Sequence, residues 1–238
     1  MDIYKVNEIG ELLSGNTYPG RGIIAGLTPD GTKAAAAYFI MGRSANSRNR
    51  VFVKKGDELF TEPYDASKVE DPSLIIYAAV RPFENKLIVT NGDQTDTIYK
   101  GFEAKKTFSE ALEAREFEPD GPNFTPRISA VLNFDEKYNY EMSILKSIDE
   151  DGSDCARFTY NYPGKPGLGH FIHTYVCDGN PIPTFQGEPE RVKIFGDMEE
   201  TAQAIWNALD ENNRISLYVR YTDLETGDYK DKIINKNN

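Results

Sequence analysis

The sequence of 238 residues lacks most of the short motifs that mark common enzyme classes. Its two cysteines, Cys155 and Cys177, form no CxxC pair, so we expect buried, reduced thiols and no zinc site. Its two histidines, His170 and His173, have no HExxH context, which again predicts no metal site. The GxSxG, GxxxxGK(S/T) and GxGxxG motifs are also missing, and this disfavours serine hydrolases and the common nucleotide-binding folds.

Long apolar segments and excess positive charge are missing as well. No apolar run reaches the roughly 18 residues of a membrane span, and the opening MDIYKVNEIGELL has no signal-peptide core, so we expect a cytoplasmic protein without a membrane partner. The formal charge of −11 at pH 7 repels nucleic acids, which we do not expect as partners. A small anionic ligand remains compatible, because a local arginine cluster dominates within a Debye length of about 8 Å.

Short apolar runs separated by turn formers predict an α+β protein. Strands are predicted at residues 22–27, 34–41, 51–53, 74–80, 86–89, 127–134, 138–144, 156–160, 169–176, 215–221 and 229–234. Two helices are predicted, one capped by Thr107 and continuing to about Glu116, the other capped by Asp197. Residues 56–72 and 177–191 are expected to be surface loops. No linker divides the chain, so we expect a single domain over residues 1–238, with two packed sheets and helices outside them.

The most informative segment is the run GRSANSRNR from Gly42 to Arg50, which places three arginines among hydroxyl and amide side chains in an otherwise acidic protein. Arginine forks and loop N–H groups together form an anion-binding concavity. The alternative is a solvated loop whose arginines pair with surface acids.

A second polar stretch, Asn91 to Thr97, follows a predicted strand. A plain hairpin turn is the default interpretation, but its extra donors and acceptors suit an amide-bearing heterocycle. We therefore expect this stretch and the arginine run to line one pocket. Tyr77 sits in an apolar strand and by itself indicates a core residue, and Glu118 by itself indicates a solvated acid.

Several of these segments, in chain order, resemble the archaeal-type IMP cyclohydrolase family. The similar blocks are Tyr18 to Gly26, Ala37-Tyr38 leading into Gly42 to Ser44 and Arg48 to Arg50, Ile76 to Arg81, Thr90 to Gly92 with Thr95 to Ile98, and Asn123 with Thr125 to Ile128. The resemblance covers roughly residues 18–133 and little beyond Asn133. Five blocks in the right order are more specific than any one of them.

The resemblance implies a four-layer αββα sandwich like that of the N-terminal-nucleophile hydrolases, without an N-terminal nucleophile, since Met1-Asp2 offers none. It implies that the active-site arginine, tyrosine and glutamate are Arg50, Tyr77 and Glu118, although the longer arginine loop leaves the choice between Arg48 and Arg50 open. The substrate-binding candidates are Arg21, Arg43, Ser44, Arg48, Asn91, Gly92, Asp96, Thr97 and Arg127.

The implied activity is closure of 5-formamidoimidazole-4-carboxamide ribotide to inosine monophosphate (IMP) with loss of water, in purine biosynthesis. The implied partner is this purine ribotide, with no cofactor and no metal; a homo-oligomer stays open. Attack by the carboxamide nitrogen needs a base and an oxyanion donor, so we expect Glu118 or Tyr77 to transfer the proton and Arg50 to support the oxygen. Two alternatives remain: an amidohydrolase of the same fold acting on a related purine intermediate or linear amide, and a non-catalytic nucleotide-binding protein.

Overall fold

The fold is that of a computed structural model, which describes residue 2, residues 4–69 and residues 76–237. Within these residues there are thirteen β-strands and five α-helices. The elements before residue 120 are α1 (Ile9–Leu13), β1 (Arg21–Leu27), β2 (Lys33–Met41), α2 (Ala45–Arg48), β3 (Val51–Lys55), β4 (Glu58–Glu62), β5 (Tyr77–Phe83), β6 (Lys86–Thr90), α3 (Gln94–Glu103) and α4 (Phe108–Leu112). The later elements are β7 (Arg127–Asn133), β8 (Asn139–Ser147), β9 (Cys155–Pro163), β10 (Leu168–His173), β11 (Glu190–Lys193), α5 (Met198–Ala208), β12 (Arg214–Asp223) and β13 (Tyr229–Asn235).

The strands form two antiparallel sheets. Sheet one has the order β11-β10-β1-β2-β12-β13, and sheet two runs in chain order from β3 to β9. The hairpin of β1 and β2 lies at the centre of sheet one, with Ala25 opposite Ala36. The predicted α+β class, with two packed sheets, is confirmed.

The main core lies between the two sheets, and β2 shows how the sequence produces it. Alternate side chains of a strand point to opposite faces. Ala36 and Tyr38 face sheet two, whereas Ala37 and Phe39 belong to the core on the other face of sheet one. Because both faces of β2 are buried, its sequence is a continuous apolar run and does not alternate with polar residues.

Helices cover the outer faces of the sheets. Helices α1 and α5 pack on sheet one through Ile9 and Ile205, and helices α3 and α4 pack on sheet two through Ile98 and Phe108. None of the helices within the described residues is long and apolar enough to span a membrane.

Most predicted elements are confirmed, including the hairpins β1–β2, β5–β6, β7–β8 and β12–β13. Residues 74–75 of one predicted strand lie outside the described residues. Thr107 caps α4 as expected: its hydroxyl accepts the N–H of Glu110 at 3.3 Å, and the Glu110 carboxylate accepts the N–H of Thr107 at 2.8 Å. This helix ends at Leu112, earlier than predicted. Asp197 caps α5 by accepting the N–H of Glu200 at 2.9 Å.

Three predictions are wrong. The predicted loop 56–72 contains β4. The pattern did not indicate this strand because charged residues, Glu58 and Glu62, flank its short apolar centre. The predicted turn at 91–97 is wrong from residue 94 onward, where α3 begins. Polar residues, Gln94 and Thr95, form part of the buried face of this helix, so no apolar pattern marks its start. Cys177 is exposed, since it lies in the loop after β10, whereas Cys155 is buried as expected.

Candidate active site

Two buried arginines lie at one end of the space between the sheets. Arg21 begins β1 and Arg50 directly precedes β3, and they are 7% and 5% exposed. Neither guanidinium donates a hydrogen bond to any described residue, and the Nε atom of each is fully buried without a partner. A buried charge without hydrogen bonds is costly. This end of the core is therefore suited to a ligand that carries negative charge or accepting oxygens.

The two arginines interact with the buried carboxylate of Glu118. Burial acts to lower the pKa of Arg21, but Glu118 and nearby tyrosine hydroxyls raise it above its ordinary value overall. Burial and the positive charge of Arg21 lower the pKa of Arg50. Burial raises the pKa of Glu118, although Arg21 and Arg127 act in the opposite direction. A carboxylate with a raised pKa is a better proton acceptor than an exposed one.

Backbone and side-chain hydrogen bonds hold the loop that carries Glu118. The N–H of Glu118 donates to the carbonyl of Thr125 at 2.9 Å. Thr125 in turn donates its N–H to Asp120 at 2.6 Å, and its hydroxyl donates to the same carboxylate. The hydroxyl oxygen of Thr125 lies 2.5 Å from the hydroxyl of Tyr175. These bonds attach the loop to Tyr175, in the segment that follows β10, and so set the position of the Glu118 carboxylate.

Tyr77 begins β5 and points into the same inter-sheet space. Its hydroxyl lies 2.9 Å from the hydroxyl of Tyr38 on β2, so this contact joins the two sheets. Both rings are buried, Tyr77 at 6% exposure and Tyr38 at 0%. Tyr77 is thus a core residue that also lies within electrostatic range of Arg21 and Arg50.

The side chain of Asn91 makes three hydrogen bonds within the fold. Its Nδ2 donates to the carbonyl of Pro126 at 2.9 Å, and its Oδ1 accepts the Ile128 N–H and the Gln94 side-chain N–H, each at 2.9 Å. The side chain therefore holds the start of β7 in place. With these bonds made, only one donor of the Asn91 amide is left for another partner.

Gly92 makes room for Arg127. A Cβ at residue 92 would lie 2.6 Å from Nη1 of Arg127 and 2.6 Å from Oε1 of Gln94. Arg127 donates to Asp93 at 2.8 Å and to Gln94 at 2.9 Å, while its charge still acts on Glu118. Arg127 thus lies close enough to Glu118 to act on its charge, and the absence of a side chain at Gly92 leaves room for it.

Asp96 and Thr97 lie elsewhere. Asp96 is exposed on α3 and pairs with Arg81 at 2.9 Å. Thr97 lines a groove of about 430 Å³ on the outer helical face, together with Lys100 and Arg115. Sheet two separates this face from the inter-sheet arginines, so the structure does not bring these two residues to Arg50.

The arginines of the GRSANSRNR run point in different directions. Ser44 caps α2, its hydroxyl accepting the N–H of Ser47 at 3.1 Å. Arg43 lies over the ring of Tyr18 at 5.1 Å, pairs with Asp178 and donates to the carbonyl of Gly179 at 2.7 Å. The expectation that the whole run converges with residues 91–97 on one pocket is wrong.

Arg48 is anchored away from the buried pair. Its Nε donates to the carbonyl of Gly42 at 3.0 Å and its Nη2 donates to the Asn213 side chain at 3.0 Å. Only Arg50 of this run joins Arg21 between the sheets. The structure therefore brings together Arg21, Arg50, Tyr77 and Glu118.

Sequence reasoning assigned no role to three tyrosines of this site. Tyr18 and Tyr38 fall in the segments that resemble the family, and the inward alternation of β2 could have pointed to Tyr38. Tyr175 lies beyond the resembling segments. Its ring stacks on that of Tyr18 with centroids 5.8 Å apart, and both hydroxyls act on Arg21. Among the described residues, no group of three or more histidines, cysteines or acids could hold a metal ion.

The fold and this site define an α+β protein with an inter-sheet site suited to a small anionic ligand. The chain belongs to the IMP cyclohydrolase-like protein family, whose model matches residues 18–228. The family match extends well past Asn133, where the resemblance read from the sequence ended.

Three archaeal relatives, each named IMP cyclohydrolase, are similar to the chain. The protein of Methanocaldococcus jannaschii is 30% identical over 178 residues, which cover 72% of this chain and 81% of the relative. That of Methanococcus aeolicus is 29% identical over 164 residues, covering 67% and 75%. That of Methanopyrus kandleri is 36% identical over 120 residues, covering 49% and 59%.

Proposed function

We propose that this chain is an IMP cyclohydrolase, which closes 5-formamidoimidazole-4-carboxamide ribotide to IMP with loss of water. Family membership and the names of the three relatives support this activity. The observation that carries it in the structure is the buried pair Arg21 and Arg50, with unpartnered Nε atoms, beside a buried carboxylate, Glu118, and a tyrosine hydroxyl, Tyr77.

The reaction needs the two reacting groups held in contact, a base for the carboxamide proton and a hydrogen-bond donor for the formyl oxygen. The carboxamide nitrogen attacks the formyl carbon of the same molecule, a C–N bond forms, and the formyl oxygen leaves as water after taking up protons. Holding the two groups in contact supplies several kcal/mol of the barrier reduction. Glu118 accepts the proton of the carboxamide nitrogen, because burial raises its pKa. Arg50 supports the negative charge that develops on the formyl oxygen.

Arg43 is the residue we propose for the ribotide phosphate. It lies over the ring of Tyr18, whose hydroxyl acts on Arg21, so Tyr18 links Arg43 to the site although Arg43 does not join the buried pair. Its carboxylate partner, Asp178, is exposed, and exposed ion pairs contribute only about 0–1 kcal/mol. A phosphate dianion can replace such a partner. Arg43 also donates to the carbonyl of Gly179, as Arg48 does to that of Gly42, but Arg43 is the one whose charged partner is an exposed carboxylate that a phosphate can replace. Arg127 is buried and donates to both Asp93 and Gln94.

We also propose that the architecture is the αββα sandwich of the N-terminal-nucleophile hydrolases and that the chain is one domain. Helices α1 and α5 on one outer face and α3 and α4 on the other support this arrangement, as does the main core to which both sheets contribute.

Product analysis separates this proposal from its rivals. Purified protein mixed with the formamido ribotide should yield IMP without an added cofactor. An amidohydrolase would instead give a ring-open amine or acid, and a nucleotide-binding protein would give no product. Chromatography of the quenched reaction distinguishes these outcomes, and either of the last two would contradict the proposal.

A further inference from the structure

The hydroxyls of Tyr38 and Tyr77 form an isolated pair at the boundary between core and site. Tyr38 lies at the centre of sheet one, opposite Ile23 on β1 and Tyr218 on β12. Tyr77 lies in sheet two, and the two oxygens are 2.9 Å apart. Among the described residues, neither hydroxyl has another hydrogen-bond partner. The pair therefore has two protons and one hydrogen bond within the protein.

The surroundings decide which hydroxyl donates. If Tyr77 donated, the proton of Tyr38 would be left in a fully buried position with no acceptor, which costs the full desolvation of an O–H group. If Tyr38 donates, the unused proton belongs to Tyr77, which begins β5 and is 6% exposed, whereas Tyr38 lies inside β2 and is fully buried. Arg50 acts on both hydroxyls, and Tyr77 also acts on Arg21. Burial and Tyr77 raise the pKa of Tyr38 well above its ordinary value, although Arg21 and Arg50 act in the opposite direction.

This donor direction has a consequence for Tyr77. With one lone pair engaged by Tyr38, the Tyr77 O–H is directed away from Tyr38 and into the site. A hydroxyl that accepts a hydrogen bond is also a stronger donor, because hydrogen bonds in a chain polarise one another. The Tyr77 O–H and the Arg50 guanidinium are then both suited to donate hydrogen bonds to a ligand oxygen that gains negative charge.

We propose that Tyr38 is a positioning residue: it donates to the Tyr77 oxygen and thereby aims the Tyr77 O–H at the formyl oxygen of the substrate. This inference rests on the proposed function. It assigns oxyanion support to Tyr77 and leaves proton acceptance to Glu118. Tyr38 itself does not contact the reacting atoms.

The test is a double-mutant cycle on kcat, with Tyr38→Phe, Tyr77→Phe and the double variant. Tyr38→Phe should lower kcat about tenfold with little change in KM, because it removes orientation and not binding. Tyr77→Phe should lower kcat on the order of 10². The double variant should be no slower than Tyr77→Phe, because Tyr38 acts through the Tyr77 hydroxyl.

Tyr138→Phe is the matched control. The hydroxyl of Tyr138 is also buried between the sheets and donates to the carbonyl of Gly26 at 3.0 Å, at the far end of β1 from Arg21. This variant should lower the melting temperature and leave kcat and KM unchanged. If Tyr38→Phe behaves like Tyr138→Phe, or if the losses of the two site variants multiply, the positioning role is wrong. Absence of IMP formation by the unmodified protein is a different result, which would overturn the proposed function and this inference with it.

Discussion

The carboxylate of Glu118 and the guanidinium of Arg21 are buried near each other, and each changes the pKa of the other. Arg21 lies on β1 in sheet one, whereas Glu118 lies on the loop that leads into β7 in sheet two. The site thus depends on how the two sheets face each other. Its charges also lower the stability of the fold, because two guanidinium groups and a carboxylate are withdrawn from water.

The pH dependence of Glu118 provides one prediction. Glu118 accepts a proton only when ionised, so kcat/KM should fall as the pH drops through its raised pKa, above the range of an exposed glutamate. Glu118→Gln should lower kcat on the order of 10². Steady-state rates across a pH series measure both. An acidic limb in the ordinary range of exposed carboxylates would contradict this assignment.

The same shift predicts the sign of a stability change. A carboxyl group whose pKa is raised by folding stabilises the fold at low pH, and that contribution is lost as the pH rises through the raised pKa. The melting temperature of the unmodified protein should therefore decline relative to that of Glu118→Gln as the pH rises. Thermal melts of both proteins in matched buffers check this, and a gap that widens in the opposite direction would refute it.

Arg48 and Arg50 should respond differently to replacement by glutamine. Arg50→Gln should lower kcat by about 10²–10³, since it removes the proposed oxyanion donor. It should not lower the melting temperature, because the buried guanidinium makes no hydrogen bond to a described residue. Arg48→Gln breaks hydrogen bonds to Gly42 and Asn213 and should cost about 1 kcal/mol of stability. Steady-state kinetics and thermal melts of the two variants test both expectations. A larger loss of kcat in Arg48→Gln than in Arg50→Gln would identify Arg48 as the catalytic arginine.

Gly92→Ala should destabilise the site region. The added Cβ would lie 2.6 Å from Arg127 and from Gln94, and overpacking of this kind costs about 1–3 kcal/mol. The control is Gly196→Ala, because a Cβ there meets nothing within 4 Å. Melting temperatures of the two variants should differ clearly. Equal values would show that Arg127 moves aside without cost.

Chelation should leave the activity unchanged. Arg21 and Arg50 place two positive charges at the site, and these repel a divalent cation. Rates measured before and after dialysis against EDTA test this expectation. Activity that disappears and returns only with a divalent ion would contradict it.

The sequence predicted local structure better than the site. Hairpins and helix caps depend on neighbouring residues, so Thr107 and Asp197 were recognisable from their own segments. Helix α3 was missed because its buried face begins with polar residues. Gln94 is buried through a hydrogen bond to Ile128 on β7, which local patterns do not show.

The site could be predicted only through the family resemblance. That resemblance placed Arg50, Tyr77 and Glu118 in one active site. The local sequence around them was equally compatible with a solvated arginine loop, and it indicated a core tyrosine and a surface acid. The separation of Arg48 from Arg50 depends on Asn213, which is distant in the sequence. The contact between Tyr38 and Tyr77 depends on the packing of two sheets, and no pattern within either strand predicts it.

The most direct test of ring closure is to follow a heavy-oxygen label placed in the formyl group of the ribotide. Ring closure expels the formyl oxygen as water, so the account predicts unlabelled IMP, labelled water and no formate, with the same products formed about 10²–10³-fold more slowly by Arg50→Gln. Mass spectrometry of the products measures all three species. Labelled formate together with a ring-open amine would show that water attacks the formyl group and would contradict the account.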